Sequence, residues 1–167
     1  MYAQFRRASL CKTGTMVSVG DVLGVRALGL RGVRIGRADA DIRWVATSEL
    51  SDPTPFLEGG EILLTTGIET RTWEREWDNY VRRLSEAAVA AVGFGIGLTH
   101  DHTPDALITA CRDHDVNLFE VPRRTTFVAI SREVARLLSE QESAATQAAL
   151  QTQRRLISAA TRRDPAR

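Results

Sequence analysis

The stretch FLEGGEILLTTG, residues 56–67, decides the fold. Its centre, Ile62-Leu63-Leu64, is apolar without alternation, which is the pattern of a strand covered on both faces, as in a parallel sheet. Gly59 and Gly60 permit a tight turn into that strand, and Thr65-Thr66-Gly67 ends it. The same residues fit a second reading, in which glycine N–H groups and threonine hydroxyls line a small-molecule pocket. The phosphate-loop reading fails, because GxxxxGK[ST] is absent and the only lysine of the chain is Lys12.

Working outward, VAAVGFGIG (89–97) and NLFEV (117–121) read as two further buried strands, the second stopped by Pro122. Between the first two strands, Trp73, Trp77, Tyr80, Val81, Leu84, Ala87 and Ala88 recur at helical spacing and predict an amphipathic helix. Between the second and third, Thr103 as cap and Pro104 in the first turn start a helix through Leu107, Ile108 and Cys111 to about His114. Upstream, Ser18 caps a short helix with Val22, Leu23 and Leu28 inward. RGVRIG (31–36) and DIRWVATSEL (41–50) then read as strand, turn and strand. Strand–helix–strand–helix–strand implies an α/β fold, with a mostly parallel sheet covered by helices and followed by a long C-terminal helix.

That last helix begins near Thr126 and has neither proline nor glycine up to Thr161. It would be about 50 Å long, against a domain radius of about 15 Å. Its thin apolar stripe includes Val134, Leu137, Leu138, Ala145 and Ala148, which predicts a partner helix in a homodimer formed through 131–160. The expected organisation is a disordered basic leader at 1–16, an α/β domain at 17–130, and a linker or dimerisation helix at 131–167 cut before further domains.

Bulk composition bounds the function. At 167 residues with 43% hydrophobic and 26% charged side chains, the chain supports one soluble domain and an extension. No apolar run approaches the ~20 residues that span a bilayer, so no membrane partner is expected. The net charge of +1 divides into +3 on residues 1–16, +4 on residues 154–167, and hence −6 on the body between them. An acidic body is a poor nucleic-acid surface, since phosphate binding needs a clustered basic face. Cys11 and Cys111 form no CxxC and no metal-type spacing, which fits a reducing cytoplasm.

Ligands of parallel α/β sheets bind beyond the carboxyl ends of the strands. That rule gathers Glu49, Thr65, Thr66, Gly67, Phe94, Gly95, Gly97, Pro122 and Arg123 into a candidate site for a small polar or anionic effector. Catalytic and metal chemistry find less support. GFGIG lacks the tail of the dinucleotide fingerprint, and His100-Asp101-His102 is the usual sequence of a solvated loop, so no cofactor and no metal is expected. Ser48 and Ser51 have no GxSxG elbow, and no catalytic residues are assigned. An enzyme acting on a carbonyl or amide would have to use Glu49 or Glu61 as base, while those acids with Asp52 and Glu58 are as easily a wet turn.

Four phrases, SVGDVL, IRWVATSELSDPTPFLEGGEILLTTG, AAVGFGIG and NLFEVPRRTTFVAIS, together resemble the N-terminal domain of the purine catabolism regulator (PucR) family of bacterial transcription regulators. The likeness runs from Val17 to Leu138; a more distant one is to the N-terminal domain of HPr kinase. The PucR resemblance implies a sensory domain, not an enzyme, with DNA contacted only through C-terminal domains missing here. The alternative is a ligand-free dimerisation module.

Overall fold

In the computed structural model, which describes residues 16–161 and side chains as far as Arg155, five strands form one sheet. They are β1 (Arg31–Arg34), β2 (Trp44–Thr47), β3 (Glu61–Thr65), β4 (Ala91–Gly95) and β5 (Asn117–Val121), in the spatial order β1-β5-β4-β3-β2. β2 to β5 run parallel, and β1 joins β5 antiparallel. Helices α1 (Val19–Leu23) and α4 (Phe127–Thr161) pack on one face, and α2 (Glu76–Glu86) and α3 (Asp105–Asp113) on the other. The expected α/β class, a mostly parallel sheet covered by helices and followed by a long C-terminal helix, is the observed one. The leader apart from Met16, and residues 162–167 of the linker, lie outside the described residues.

The two-sided cover explains why β3 reads as an unbroken apolar run. Ile62 and Leu64 enter the core beneath α1 and α4, Leu63 enters the core beneath α2 and α3, and all three are fully buried. Each such side chain contributes roughly 1.5–3 kcal/mol of hydrophobic stabilisation. In β4 the glycine at 93 is required by packing. A Cβ there would lie 2.5 Å from Leu64 Cδ2 and 2.7 Å from Phe119 Cζ.

Three local readings differ from the structure. β1 and β2, consecutive in sequence, are not neighbours; they occupy opposite edges of the sheet. The Asn117 side chain holds the connection across the sheet's end. Its Oδ1 accepts from the N–H groups of Gly36 and Arg37, each at 3.0 Å, and its Nδ2 donates to the carbonyls of Arg37 and Ala90, each at 2.9 Å. The helical stripe also overruns α2 at both ends. Trp73 sits in the turn before it, though its ring still meets Trp77 and Tyr80 edge-on at 5.1 and 5.4 Å, and Ala88 lies beyond the helix at φ 57°. Thr103 is not the cap of α3: Pro104 occupies that position, and the Thr103 hydroxyl donates to Glu120 at 2.7 Å.

α4 changes character along its length. Ile130 and Val134 are buried in the domain's own core, with Leu137 and Leu138 packed partly against it. Gln141 accepts the Val17 N–H at 3.1 Å. From residue 142 to 155 every side chain is exposed. The boundary expected at 130/131 therefore falls inside a helix that belongs to the core. Val134 is unavailable to a partner helix because the domain core already covers it, while Leu137 and Leu138 are partly buried against that core. Of the residues expected to dimerise, Ala145 and Ala148 lie on the exposed stretch.

Candidate functional site

β3, β4 and β5 end side by side, with Thr65 registered on Phe94 and Gly95 on Val121. Just beyond these ends, on the α4 face, lies a cleft of about 260 Å³. Thr66, Pro122 and Arg123 line it together with Gly95, and the first turn of α4 closes it through Thr126 and Phe127. Gly95 admits the Phe127 ring, since a Cβ there would sit 3.2 Å from Phe127 Cζ. The volume is just below the roughly 300–1,000 Å³ of drug-sized sites, which suits a small metabolite.

The sequence-predicted residues divide by the face of the sheet on which they fall. Thr66, Gly95, Pro122 and Arg123 meet at the cleft. Gly97, at φ 84°, backs against Arg123, whose Cβ would be 3.2 Å from an added methyl. Thr65, Gly67 and Phe94 belong to the opposite side. Phe94 is fully buried between Trp77 and His100, with ring centroids 6.1 and 5.3 Å away. Gly67, at φ 70°, lies directly over that ring, and an added Cβ would be 2.9 Å from Phe94 Cζ.

Glu49 works from behind the rim. One carboxylate oxygen accepts the Thr66 N–H at 2.6 Å and the Thr66 hydroxyl at 2.9 Å. The other accepts the Thr65 hydroxyl at 2.9 Å and the Ile68 N–H at 3.1 Å. The carboxylate thus fixes the turn 65–68 and aims Thr66. Glu61 does the same for the double glycine, taking the N–H groups of Glu58 at 2.6 Å and Gly59 at 3.0 Å. Gly59 and Gly60 stand at φ 93° and 84°, and the opening glycines form a turn whose N–H donors are spent within the protein, that of Gly59 on Glu61 and that of Gly60 on the Ala88 carbonyl at 2.8 Å. Both acids that an enzymatic reading would use as base are occupied in holding backbone.

Electrostatics separates the cleft from its surroundings. Arg123, which lines the cleft, makes no side-chain hydrogen bond or ion pair among the described residues, while the Arg124 guanidinium lies against Gly29. Glu120, on the other face, is engaged by Thr103 and Arg31. Burial pushes its carboxyl upward, but those two hydrogen bonds outweigh it and hold the group below the usual glutamate range. Burial, then the nearby Glu49 charge, raises the Tyr80 phenol, and burial pushes the Cys111 thiol up to about 12, which keeps it unreactive. No three His, Cys, Asp or Glu side chains converge on a metal position among the described residues.

Sequence reasoning missed Ile96, Leu98, Thr125, Thr126 and Phe127, which also line the cleft. The available signal was the short distance between Pro122 and the start of α4, which forces the helix back over the strand ends. Larger depressions exist elsewhere. One of about 520 Å³ lies at the opposite strand ends by His114 and Asp115, and one of about 470 Å³ lies along β2. The first lies away from the strand C-termini, and the second runs the length of β2 to Thr47, Ser48 and Leu50 without reaching the ends of β3, β4 and β5.

Residues 21–138 match the purine catabolism regulatory protein-like family, and the chain belongs to that family. A curated relative, the transcriptional activator PmfR of Paenarthrobacter nicotinovorans, is 29% identical over 124 residues, covering 72% of this chain and 26% of the relative. The chain therefore spans about a quarter of that relative's length. A solved structure of the CBS and DRTGG domains of the regulatory region of Clostridium perfringens pyrophosphatase, complexed with the activator diadenosine tetraphosphate, aligns with 70% of this chain and 45% of its own. Its TM-score is 0.47 at 16% identity, too slight a likeness to carry an argument. The family is one of regulatory proteins, and the curated relative is itself a transcriptional activator. No helix among the described residues is long and apolar enough to cross a membrane.

Proposed function

We propose that the chain is the sensory domain of a cytoplasmic transcription regulator, binding a small metabolite in the cleft at the strand C-termini and signalling through α4. One observation carries this reading: Thr126 and Phe127 both wall the cleft and begin the helix that leaves the domain. A molecule filling the cleft touches the base of α4 directly. The Thr66 hydroxyl, the open Arg123 and the apolar surfaces of Ile96, Leu98 and Phe127 favour a small anionic or strongly hydrogen-bonding molecule with an apolar body. A purine link rests on the family's name alone. DNA contact belongs, in this reading, to other domains of a longer regulator.

The test is a thermal-shift screen of the chain against nucleobases, ureides, amino acids and polyamines. A ligand at 100 times its Kd adds about 2.7 kcal/mol, or a rise of roughly 5–10 °C for a domain of this size. Thr66→Val and Arg123→Ala should each weaken a hit. Unchanged affinity in both would place the ligand elsewhere.

A second reading, a ligand-free module dimerising through α4, is favoured by the wholly exposed stretch 142–155 with its alanines at 144, 145, 148 and 149. Sedimentation of the chain and of its Ala145→Glu/Ala148→Glu variant tests it: a dimer mass unaffected by the two charges rules out that helix face.

A further inference from the structure

The threonines around the cleft are not interchangeable, because their hydroxyl protons are already placed. Thr66 Oγ1 lies 2.9 Å from a Glu49 carboxylate oxygen, which has no proton to give, so the hydroxyl donates there. The Thr66 N–H is spent on the same oxygen at 2.6 Å. To a molecule in the cleft Thr66 therefore offers lone pairs and no donor. Thr125 is in the same state, since its hydroxyl donates to the Leu28 carbonyl at 2.6 Å. Thr126 is the reverse: its Oγ1 accepts the Ala129 N–H at 3.2 Å, and its own proton stays available.

Charge is distributed as unevenly as protons. Arg123 is the cation of the lining, and its side chain has no partner among the described residues. No aspartate or glutamate among the described residues lines the cleft. Glu49, behind Thr66, already accepts from four donors, which fills the lone pairs of a carboxylate and leaves none for an ammonium group. Thr66 follows β3 and Arg123 follows β5, with β4 between them. Their backbones thus stand two strand spacings apart, roughly 10 Å. The surface between them is apolar, walled by Ile96, Leu98 and Phe127.

Resting on the ligand reading above, we infer that the cleft selects a small monocarboxylate that carries a neutral N–H or O–H donor on an apolar body. Arg123 takes the carboxylate, Thr66 accepts the ligand's own proton, and the Thr126 hydroxyl is a further donor. A hydroxyl backed by a carboxylate is a stronger acceptor than an isolated one, since successive hydrogen bonds polarise one another. Polyamines are disfavoured by Arg123, and an acid whose only polar group is its carboxylate leaves Thr66 unpaired.

The test titrates the full chain, by calorimetry, with probes that share one ring: para-hydroxybenzoate, benzoate, para-hydroxybenzamide and para-(aminomethyl)benzoate. Para-hydroxybenzoate should bind about tenfold more tightly than each of the others. Thr66→Val should erase its advantage over benzoate and leave benzoate binding unchanged, whereas Thr66→Ser keeps the advantage. Arg123→Ala should erase its advantage over the amide. Arg123 is exposed, so this arm stands even if Thr66→Val does not fold. Equal affinity for para-hydroxybenzoate and benzoate overturns the inference. So does tighter binding of the amide or of the ammonium probe, or no binding of para-hydroxybenzoate at millimolar concentration. A neutral hit in the thermal-shift screen, weakened by Thr66→Val, would then leave the sensory reading standing without this selectivity. Silence in both experiments removes the two together.

Discussion

At both ends of the parallel strands a single polar side chain fastens the backbone, and a depression lies beside each, of about 520 Å³ at the N-terminal end and about 260 Å³ at the C-terminal end. At the N-terminal end, Asn117 is fully buried and spends four hydrogen bonds on the 36–37 turn and on Ala90. At the C-terminal end, Glu49 is half-buried and spends its hydrogen bonds on the 65–68 turn, while Thr66 beside it still borders the cleft. A neutral amide satisfied on every side can be sealed inside protein at little cost, so it serves to lock topology. A carboxylate resists sealing, and the turn it anchors stays next to water. The comparison teaches that the fold is fastened at one end of its strands by a buried amide and at the other by a carboxylate beside water.

The largest test of this contrast is Asn117→Ala. Several buried backbone groups would lose their partners, and we expect a loss of about 3–4 kcal/mol in urea unfolding. A loss below about 1 kcal/mol would mean that the β1–β2 connection does not depend on it. Glu49→Ala should cost less, about 2 kcal/mol, because water can reach the freed donors. The same variant should also weaken any cleft ligand by releasing Thr66, which a binding isotherm would show. Glu120 supplies a pH probe on the face away from the cleft. Its folded carboxyl is depressed, so its stabilisation is complete above the unfolded value of about 4.3 and is lost as pH falls through the folded value. Glu120→Gln should flatten the acid limb of a stability–pH curve, and an unchanged limb would assign it to other carboxylates. The smallest expected effect is a gain. Ala88 stands at φ 57° after α2, and Ala88→Gly should add about 0.5 kcal/mol to the melting free energy.

What could be seen in the sequence follows from the range of the interactions that decide each feature. The unbroken Ile62–Leu64 run and the glycine-free tail are local patterns, and β3 and α4 followed from them. The connection that separates β1 from β2 is held in part by one asparagine about 80 positions away, inside a segment that otherwise reads as plain strand, and in part by backbone hydrogen bonds to residues 17–20. No local pattern marks it. Thr103 carried a sound cap signal, but a buried carboxylate on β5 competed for its hydroxyl and won. The rim residues could be read as lying at the strand C-terminal ends, where the structure has them. Which face each took stayed hidden, because a sheet apolar on both sides gives no alternation to tell Gly95 from Phe94. Glu49 was legible as an acid near the rim, while its four neutral partners required the turn in three dimensions.

α4 is a stiff rod set on the lip of a small cup. From residue 142 to 161 it projects about 30 Å at 1.5 Å per residue, so tilting its base by about 10° would swing the far end by roughly 5 Å. That is the gearing of a lever: a displacement of atomic size beside Phe127 becomes a displacement of side-chain size at the distant tip. A change too small to see as a rearrangement of the sheet would thus still displace the far turns of α4.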